Sequence, residues 1–359
     1  MSGPSADHLA ERRLRVGRLL TEAGLDGLVV TTLVNVRFLS GFTGSNGALV
    51  LRADGTGVFL TDGRYRDQAV TEVPDLEHVI DRDLIGQAAT RIEGSWGVES
   101  HTLSVDAHTE LTGQTAAHVV PAGRLVEAAR EVKDDTEVAA LRSACAISVE
   151  ALTGLLDGPL VGRSEREVAR DLEWRMLQLG AEAIAFETIL AAGEHTAVPH
   201  HHPTDRVLRS GDLLKVDFGA RVDGYHADCT RTVVLGSADD WQREVHAAVR
   251  EAQSLGVGAL REDAGVAQVD ALVREALRDS GWLEYFTTGL GHGVGLQIHE
   301  DPFFAARHTG RLMRRTALTM EPGIYVPGRG GVRIEDTVLV TADEPDVLTD
   351  LTTELLEIA

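Results

Sequence analysis

The spacing of apolar positions changes along the chain, and each change predicts a different element. Residues 8–24 place apolar side chains at helical spacing, and Gly24 follows as a C-terminal cap. The runs at 28–32, 48–51 and 57–61 are typical of β-strands, with turns rich in Gly, Asp and Ser between them. This first part of the chain, roughly 120 residues long, therefore predicts a small α/β domain.

The pattern differs in the remainder of the chain. Residues 122–157 are helical by periodicity, and further amphipathic helices are predicted within 164–180 and 242–280. Strands are predicted within 212–235 and 331–341. Runs of strands and runs of helices, without regular βαβ alternation, indicate an α+β domain.

The length and composition of the chain limit its number of domains, its partners and its location. At 359 residues the chain is long for one domain, so we place a boundary that separates a smaller domain, 1–123, from a larger one, 124–359. The net charge of -22 argues against nucleic acid or an anionic membrane surface as a partner. No apolar run of about 18 residues and no signal sequence is seen, and the two cysteines form no CxxC pair. We therefore expect a cytoplasmic protein.

Two acidic residues interrupt the apolar strands between 212 and 235. The Asp-Gly pair at 223–224 predicts a two-residue hairpin turn, because both central positions of a type I′ turn need positive φ. Counting back from that turn puts Asp217 opposite Thr230, with Asp228 two residues from Thr230 on the same face. The two carboxylates are then diagonal neighbours, about 7–8 Å apart at the backbone. They are either surface acids or, if buried, a pair that needs cations.

Three later segments carry further polar groups. The segment GLGHGVGLQIHE contains His292 and His299, TMEPGIY contains Glu321, and GVRIED contains Arg333 and Glu335 on one strand face. Each has an ordinary structural explanation: a core histidine, a glutamate at a turn, or an ion pair on a strand surface. Their combination is more informative than any one of them.

Together these motifs resemble those of the Xaa-Pro peptidases, the family of aminopeptidase P and prolidase. The resemblance extends to the N-terminal part, where NVRFLSGFTGSN at 35–46 is similar to the family's first domain. It implies a C-terminal pita-bread metallopeptidase domain preceded by a smaller creatinase-like α/β domain. It further implies five metal ligands, namely Asp217, Asp228, His292, Glu321 and Glu335.

The resemblance also implies two divalent ions. Asp217 would chelate one ion, Asp228 and Glu335 would bridge both, and His292 with Glu321 would complete the other. Four carboxylates and one imidazole, with no thiolate, suit manganese best, with cobalt, iron(II) or zinc as alternatives. A hydroxide between such ions would attack the peptide bond that precedes proline.

Other residues receive roles by the same resemblance. Glu321 would also move a proton, while His200, in the segment VPHHHP, and His299 would contact the substrate and its developing oxyanion. Arg333 would orient Glu335 or contact the substrate. His201 and His202 are expected to be solvated loop residues.

Several alternatives stay open at this stage. Aminopeptidase P, which accepts longer peptides, is preferred over prolidase, which is restricted to Xaa-Pro dipeptides. Methionine aminopeptidase usually lacks so large a first domain, and creatinase lacks this ligand set. A non-catalytic protein-binding member of the fold is expected to have lost ligands. The family also leads us to expect a homodimer or homotetramer and proline-containing peptides as substrates.

Overall fold

The computed structural model describes residues 4–304 and 308–358. Its chain divides into two compact units, residues 1–130 and 131–359. The boundary that we placed from the sequence, between 123 and 124, lies just before the helix Leu125–Glu131.

The first unit is built on one mixed sheet with helices. Its helices are α1 (Ala6–Glu22), α2 (Leu33–Ser40), α3 (Arg66–Glu72), α4 (Leu84–Ala89), α5 (Val105–Gly113) and α6 (Leu125–Glu131). Its strands are β1 (Gly27–Val30), β2 (Gly47–Arg52), β3 (Gly57–Thr61), β4 (Glu77–Ile80), β5 (Ser95–Val98) and β6 (His118–Pro121). They form a six-stranded sheet in the order β4-β3-β2-β1-β5-β6, with antiparallel pairs at β1/β2 and β2/β3 and parallel pairs elsewhere.

A buried polar network lies in this first unit. The side-chain amide of Asn35 donates to Glu99 at 2.6 Å and to Glu127 at 2.8 Å, and it accepts from Arg130 at 2.7 Å. Glu99 also accepts from the backbone N–H groups of residues 31 and 32. Asn35 belongs to the segment that resembles the family's first domain, and its contacts give it a structural role in connecting α2 to α6.

The second unit contains four long helices and fourteen short strands among its described residues. The helices are α7 (Asp135–Leu156), α8 (Glu165–Gln178), α9 (Asp240–Gly258) and α10 (Val266–Asp279). The strands are β7 (Ala183–Ile184), β8 (Ile189–Ala192), β9 (Leu213–Phe218), β10 (Ala220–Val222), β11 (Tyr225–His226), β12 (Cys229–Leu235), β13 (His292–Gly293), β14 (Glu300–Phe303), β15 (Ala317–Met320), β16 (Gly323–Val326), β17 (Gly330–Arg333), β18 (Asp336–Leu339), β19 (Asp346–Val347) and β20 (Glu357–Ile358).

The strands of the second unit form two main sheets, in the orders β20-β12-β9-β8 and β14-β13-β15-β18-β19, and two small ones, β11-β10-β7 and β16-β17. Helices α7 and α8 pack their apolar residues against β8, β9 and β12, while α9 and α10 cover β15 to β18. Three of these helices begin with capping boxes, at Asp134, Ser164 and Asp239, each paired with a Glu or Gln three residues later. The predicted α+β class is confirmed.

Helix α7 is the one helix in the described ranges that is long and apolar enough to cross a membrane, with a mean hydropathy of 1.4. Its buried side chains join the same core as α8 and the strands β8 and β9. A core helix of a folded domain passes the same test of length and composition.

The hairpin register predicted from the sequence is confirmed. Asp223 and Gly224 have φ values of 50° and 84°, and Asp217 pairs with Thr230. The ladder is interrupted, however, because β9 and β12 belong to one sheet and β10 and β11 to another. Asp228 therefore lies in the interruption, one residue before β12, and not within the strand as expected.

Gly219 occupies the interruption on the other side of the hairpin. A Cβ atom on Gly219 would lie 1.8 Å from the carbonyl oxygen of Ala227, which is a backbone atom that cannot rotate away. The two segments that present Asp217 and Asp228 therefore approach each other closely only because this residue is glycine.

We predict that Gly219→Ala destabilises the second unit by about 1–3 kcal/mol, because the added methyl group overpacks the hairpin. The midpoint of urea unfolding measures this loss. Gly258→Ala is the control, since a Cβ at Gly258, the last residue of α9, has no neighbour within 4 Å. Equal midpoints for the two variants would contradict the prediction.

Candidate metal centre

The residues singled out from the sequence line one cavity of about 300 Å³ in the second unit. The set comprises four acids, three histidines and one arginine: Asp217, Asp228, His292, Glu321, Glu335, His200, His299 and Arg333. They come from separate segments that span more than a hundred residues of chain. Tertiary folding therefore brings together all eight of the residues that the motifs identified.

Strand pairing positions three of the acids. Asp217 is the penultimate residue of β9, and Thr230, its partner across the sheet, connects to Glu335. The backbone N–H of Glu335 donates to the carbonyl oxygen of Thr230 at 3.0 Å, and the Thr230 hydroxyl donates to Glu335 Oε2 at 2.7 Å. Asp228 lies two residues before Thr230. One threonine thus holds the acid of β9, the acid just before β12 and the acid of the β17–β18 connection next to one another.

His292 is oriented by its backbone neighbours. Its Nδ1 lies 3.0 Å from the carbonyl oxygen of Gly293, and because a carbonyl only accepts, Nδ1 carries the hydrogen. The neutral ring then presents the lone pair of Nε2, which lies 3.6 Å from Asp228 Oδ2 and 3.5 Å from Glu321 Oε1. A carbonyl that fixes the tautomer in this way is common for metal-binding histidines.

The position of His292 also requires a glycine immediately before it in the chain. Gly291 has a φ of 153°, and a Cβ there would lie 2.2 Å from the carbonyl oxygen of Thr319. This close approach of two backbone segments lets the His292 N–H donate to the Thr319 hydroxyl at 3.1 Å. The glycine-rich sequence around His292 therefore places the imidazole beside β15, which leads directly to Glu321.

Three of the acids have raised pKa values. Burial raises the pKa of Asp228 well above its ordinary value, and the charges of Glu335, Asp217 and Glu321 add to that effect. The pKa of Glu335 is raised by burial and by Glu321 and Asp217. Burial raises the pKa of Glu321 to about 7 and lowers that of His292 to about 4. Without a cation, the cavity disfavours the ionised form of these carboxylates.

The donor set fits a divalent cation. Oδ1 of Asp217 is buried and has no hydrogen-bond partner among the described residues, which is a costly state for a carboxylate oxygen. Ligand atoms of Asp228, His292 and Glu335 all lie within 4.8 Å of one another. A cation in contact with these atoms would satisfy the orphaned oxygen and offset the repulsion among the acids.

Arg333 orients Asp217. Its guanidinium donates to Asp217 Oδ2, to the Thr230 hydroxyl at 3.0 Å and to the Tyr325 hydroxyl at 2.9 Å. Arg333 therefore contacts Asp217 directly and reaches Glu335, the partner expected from the sequence, only through Thr230. Sequence reasoning did not assign roles to Thr230 and Tyr325, although the hairpin register had already put Thr230 opposite Asp217.

His200 and His299 are exposed at the cavity and neutral near pH 7. Burial and the charge of Arg333 lower the pKa of His200, while burial and His200 lower that of His299. The ring centroid of His299 lies 4.5 Å from that of His292, at an interplanar angle of 82°. Two neutral imidazoles thus stand beside the acids, where each can donate one N–H to a bound molecule.

The two other histidines of the segment differ from each other. His202 lies at the rim with its side chain 81% exposed, 3.4 Å from Glu187 Oε1. His201 was expected to be solvated, and this was wrong. Its side chain is only 12% exposed because Nε2 contacts the buried Glu165 Oε2 at 2.9 Å. A distant helix supplies that partner, so no local signal could have identified it.

Phe186, Ile189 and Ile298 form an apolar wall of the same cavity. Buried carboxylates facing one neutral imidazole, with two more imidazoles and such a wall beside them, are typical of a metal-dependent hydrolase. Comparison with known proteins gives the family. Residues 139–342 match the family model of metallopeptidase family M24, and residues 12–132 match that of the creatinase/prolidase N-terminal domain. The chain belongs to metallopeptidase family M24.

Individual relatives cover nearly the whole chain. The Xaa-Pro dipeptidase of Pyrococcus furiosus is 33% identical over 97% of this chain and 100% of its own length. The solved Xaa-Pro dipeptidase from Bacillus anthracis superposes with a TM-score of 0.93 at 35% identity, covering 98% of this chain and 100% of that one. The X-Pro aminopeptidase from Thermotoga maritima MSB8 gives a TM-score of 0.87 at 31% identity, with 97% and 99% covered. The predicted two-part fold, a creatinase-like domain and a pita-bread domain, is confirmed.

The raised pKa values predict that a divalent ion stabilises the protein more at high pH. Between the ordinary carboxyl value, about 4, and the raised values, about 7 for Glu321, the metal-free folded state keeps protons that the unfolded state has released. The metal-free protein therefore loses stability as pH rises through that window. Bound metal replaces those protons, so its stabilising effect grows with pH.

Thermal unfolding with manganese and with a chelator, at about pH 5 and about pH 8, measures the effect. We expect the larger metal-induced shift near pH 8, and a reduced shift in Asp228→Asn at both values. A shift that is the same at both pH values, or that is unchanged in Asp228→Asn, would contradict this account of the cavity.

Proposed function

We propose that this chain is an Xaa-Pro peptidase that hydrolyses the bond between an N-terminal residue and proline. One observation carries the proposal: the acids, the three imidazoles and an apolar wall of Phe186, Ile189 and Ile298 line the same cavity. The acidic side suits metal ions, and the apolar side suits a pyrrolidine ring, which is compact and has no N–H in a peptide. The names of the relatives, Xaa-Pro dipeptidase and X-Pro aminopeptidase, support this substrate class.

We propose two divalent ions, preferably manganese, as the cofactor. The ligands are Asp217, Asp228, His292, Glu321 and Glu335, and their four carboxylates balance two divalent charges. Oxygen donors with one imidazole favour manganese, cobalt or iron(II) over structural zinc. When bound, the ions supply Lewis-acid chemistry, polarising the scissile carbonyl and lowering the pKa of water.

The protein's own groups handle the protons and the substrate. Hydrolysis adds one water across the C–N bond, so the hydroxyl goes to the carbonyl carbon and the proton to the proline nitrogen. Glu321, whose carboxylate lies 3.5 Å from His292 Nε2 in the cavity, is the group that we assign to take this proton and return it. His200 and His299, as neutral donors, stabilise the developing oxyanion. Arg333 keeps Asp217 in place and, having four acceptors already, is not assigned to the substrate.

Within this class we propose the dipeptidase, which the relatives favour over the aminopeptidase that was preferred from the sequence. Two of the relatives above carry the name Xaa-Pro dipeptidase, and prolidases from Pyrococcus horikoshii and Pyrococcus furiosus are also among the solved structures. The similarity to the X-Pro aminopeptidase from Thermotoga maritima supports the aminopeptidase as the second candidate. A homodimer or homotetramer and a cytoplasmic location stay predictions.

The test compares Xaa-Pro dipeptides with Xaa-Pro-Yaa tripeptides and with Xaa-Ala dipeptides, in manganese. We expect cleavage of the Xaa-Pro dipeptides and loss of cleavage in chelator. Tripeptide cleavage with a similar kcat/KM would instead assign the chain to the aminopeptidase subclass. Failure to cleave any Xaa-Pro peptide with manganese, cobalt, iron(II) or zinc would refute the proposal.

Asp228→Asn should lower kcat/KM by at least about 100-fold, because an amide cannot replace a charged bridging ligand. Asp205→Asn is the matched control: Asp205 is an exposed acid of the same unit that pairs with Arg166. We expect the control to keep full activity. Comparable losses in the two variants would mean that the cavity is not the reaction site.

A further inference from the structure

The loop that carries His200 is held by two buried charged residues that the sequence did not single out. This loop, residues 193–204, follows β8 and contains one short 3₁₀ turn, Gly193–Ala197. The His200 side chain makes no hydrogen bond with any residue in the described part of the chain, and it is exposed. Its position over the cavity therefore depends on how the loop backbone is held.

Lys215 holds the middle of the loop from below. Its side chain is fully buried in β9, and Nζ donates to the carbonyl oxygens of Thr196 at 3.2 Å, Val198 at 2.7 Å and Pro199 at 3.2 Å. Because carbonyl oxygens only accept, Nζ is the donor in these contacts. The last of them belongs to the residue immediately before His200.

Lys215 also connects the loop to the metal ligands. Alternate residues of a strand share a face, so Lys215 and Asp217 project from β9 on the same side. Arg333, which holds Asp217, donates to the Pro199 carbonyl as well, at 3.4 Å. The backbone next to His200 is thus attached, through Lys215, to β9, the strand that carries the predicted ligand Asp217.

Glu165 holds the two ends of the loop. This first residue of α8 is fully buried, and it accepts from the backbone N–H of Ala192 at 2.8 Å, from the N–H of Thr204 at 3.0 Å and from the Thr204 hydroxyl at 2.6 Å. His195 and His201 contact the two carboxylate oxygens, each at 2.9 Å. One carboxylate therefore closes the loop and fixes the residue that follows His200.

The cluster of Glu165, His195 and His201 also has the spacing of a metal site, since its ligand atoms lie within 4.8 Å of one another. Hydrogen bonds, however, already occupy it. Each oxygen of Glu165 accepts a backbone N–H at 3.0 Å or less, besides its histidine. Because hydrogen bonds already use the lone pairs of this carboxylate, we assign the cluster a structural role and not a metal-binding one.

We propose that Lys215 and Glu165 are positioning residues for His200, which they act on by fixing the 193–204 loop at its middle and at its ends. The inference rests on the proposed function, in which His200 contacts the substrate. A displacement of about 1 Å in a catalytic group can lower a rate by roughly 100-fold, so a loop with no helix or strand across its tip needs such anchors. Both side chains are fully buried, and neither lines the cavity.

A double-mutant cycle with His200→Ala tests the proposal. Lys215→Met, which keeps length but removes the donors, should lower kcat by roughly 10- to 100-fold, with KM and the bound metal per chain little changed. In the His200→Ala background the same change should lower kcat by less than about 3-fold, because the group that it positions is already absent. Glu165→Gln should behave in the same way.

Lys133→Met is the matched control for coupling. Lys133 is another buried lysine of this unit, but its Nζ contacts Glu300 at 3.1 Å and the carbonyl oxygen of Glu131 at 3.5 Å, which are residues outside 193–204. Whatever fold-loss in kcat Lys133→Met causes alone, the double variant should show that loss multiplied by the loss of His200→Ala. Multiplicative losses for Lys215→Met as well, or loss of bound metal in that variant, would overturn the proposal, since Lys215 would then act through Asp217 or through general stability.

Hydrogen exchange separates this inference from the proposed function. Lys215→Met and Glu165→Gln should speed amide exchange in peptides from 193–204 and leave peptides from α9 unchanged, in both metal-free and metal-loaded protein. Unchanged exchange in the loop would refute the anchoring role even if activity fell. If the wild-type chain cleaved no Xaa-Pro peptide, the proposed function would fail, while the exchange experiment would still decide whether the two residues hold the loop.

Discussion

Four carboxylates confined in one small, poorly solvated cavity are the constraint on which the rest of the second unit depends. Burial raises the pKa values of Asp228 and Glu335, and the charges of neighbouring carboxylates act in the same direction. In its ionised form, such an arrangement persists in a folded protein only if cations balance it, or if the surrounding scaffold holds the acids together against their repulsion. The fold provides both an orphaned carboxylate oxygen, on Asp217, and a rigid frame.

The frame consists of backbone pairing and a few buried polar side chains. The Thr230–Glu335 bridge joins β12 to the connection after β17, and Arg333 ties Asp217 to that same threonine. Behind Glu335, Arg231 donates to its carbonyl oxygen at 2.6 Å and pairs with Asp336, which also accepts from Gln253 and Thr349. The acids thus cannot relax away from one another without breaking a buried hydrogen-bond network, which preorganises the site for its ions.

The imidazoles are held differently from the acids. His292 is fixed by backbone contacts that only glycine neighbours allow, whereas His200 is exposed on a loop whose backbone is anchored by Lys215 and Glu165. Residues expected to hold ions therefore lie on strands and their ends, and residues expected to meet the substrate lie on loops. This division suits a site in which the ligand geometry stays constant while the substrate enters and leaves.

The sequence by itself determined the helices with their capping boxes, the register that pairs Asp217 with Thr230, and the eight residues that line the cavity. The helices and the register follow from local chemistry, namely periodicity and turn residues with positive φ. The eight cavity residues follow from the resemblance of their motifs to those of the Xaa-Pro peptidases. Only the tertiary structure decided that Asp228 lies outside its strand, that Arg333 contacts Asp217 first, and that Lys215, Glu165 and His201 form the support of the loop. Each of these depends on a partner tens of residues away, and a hydrogen bond between distant segments leaves no periodic trace in either one.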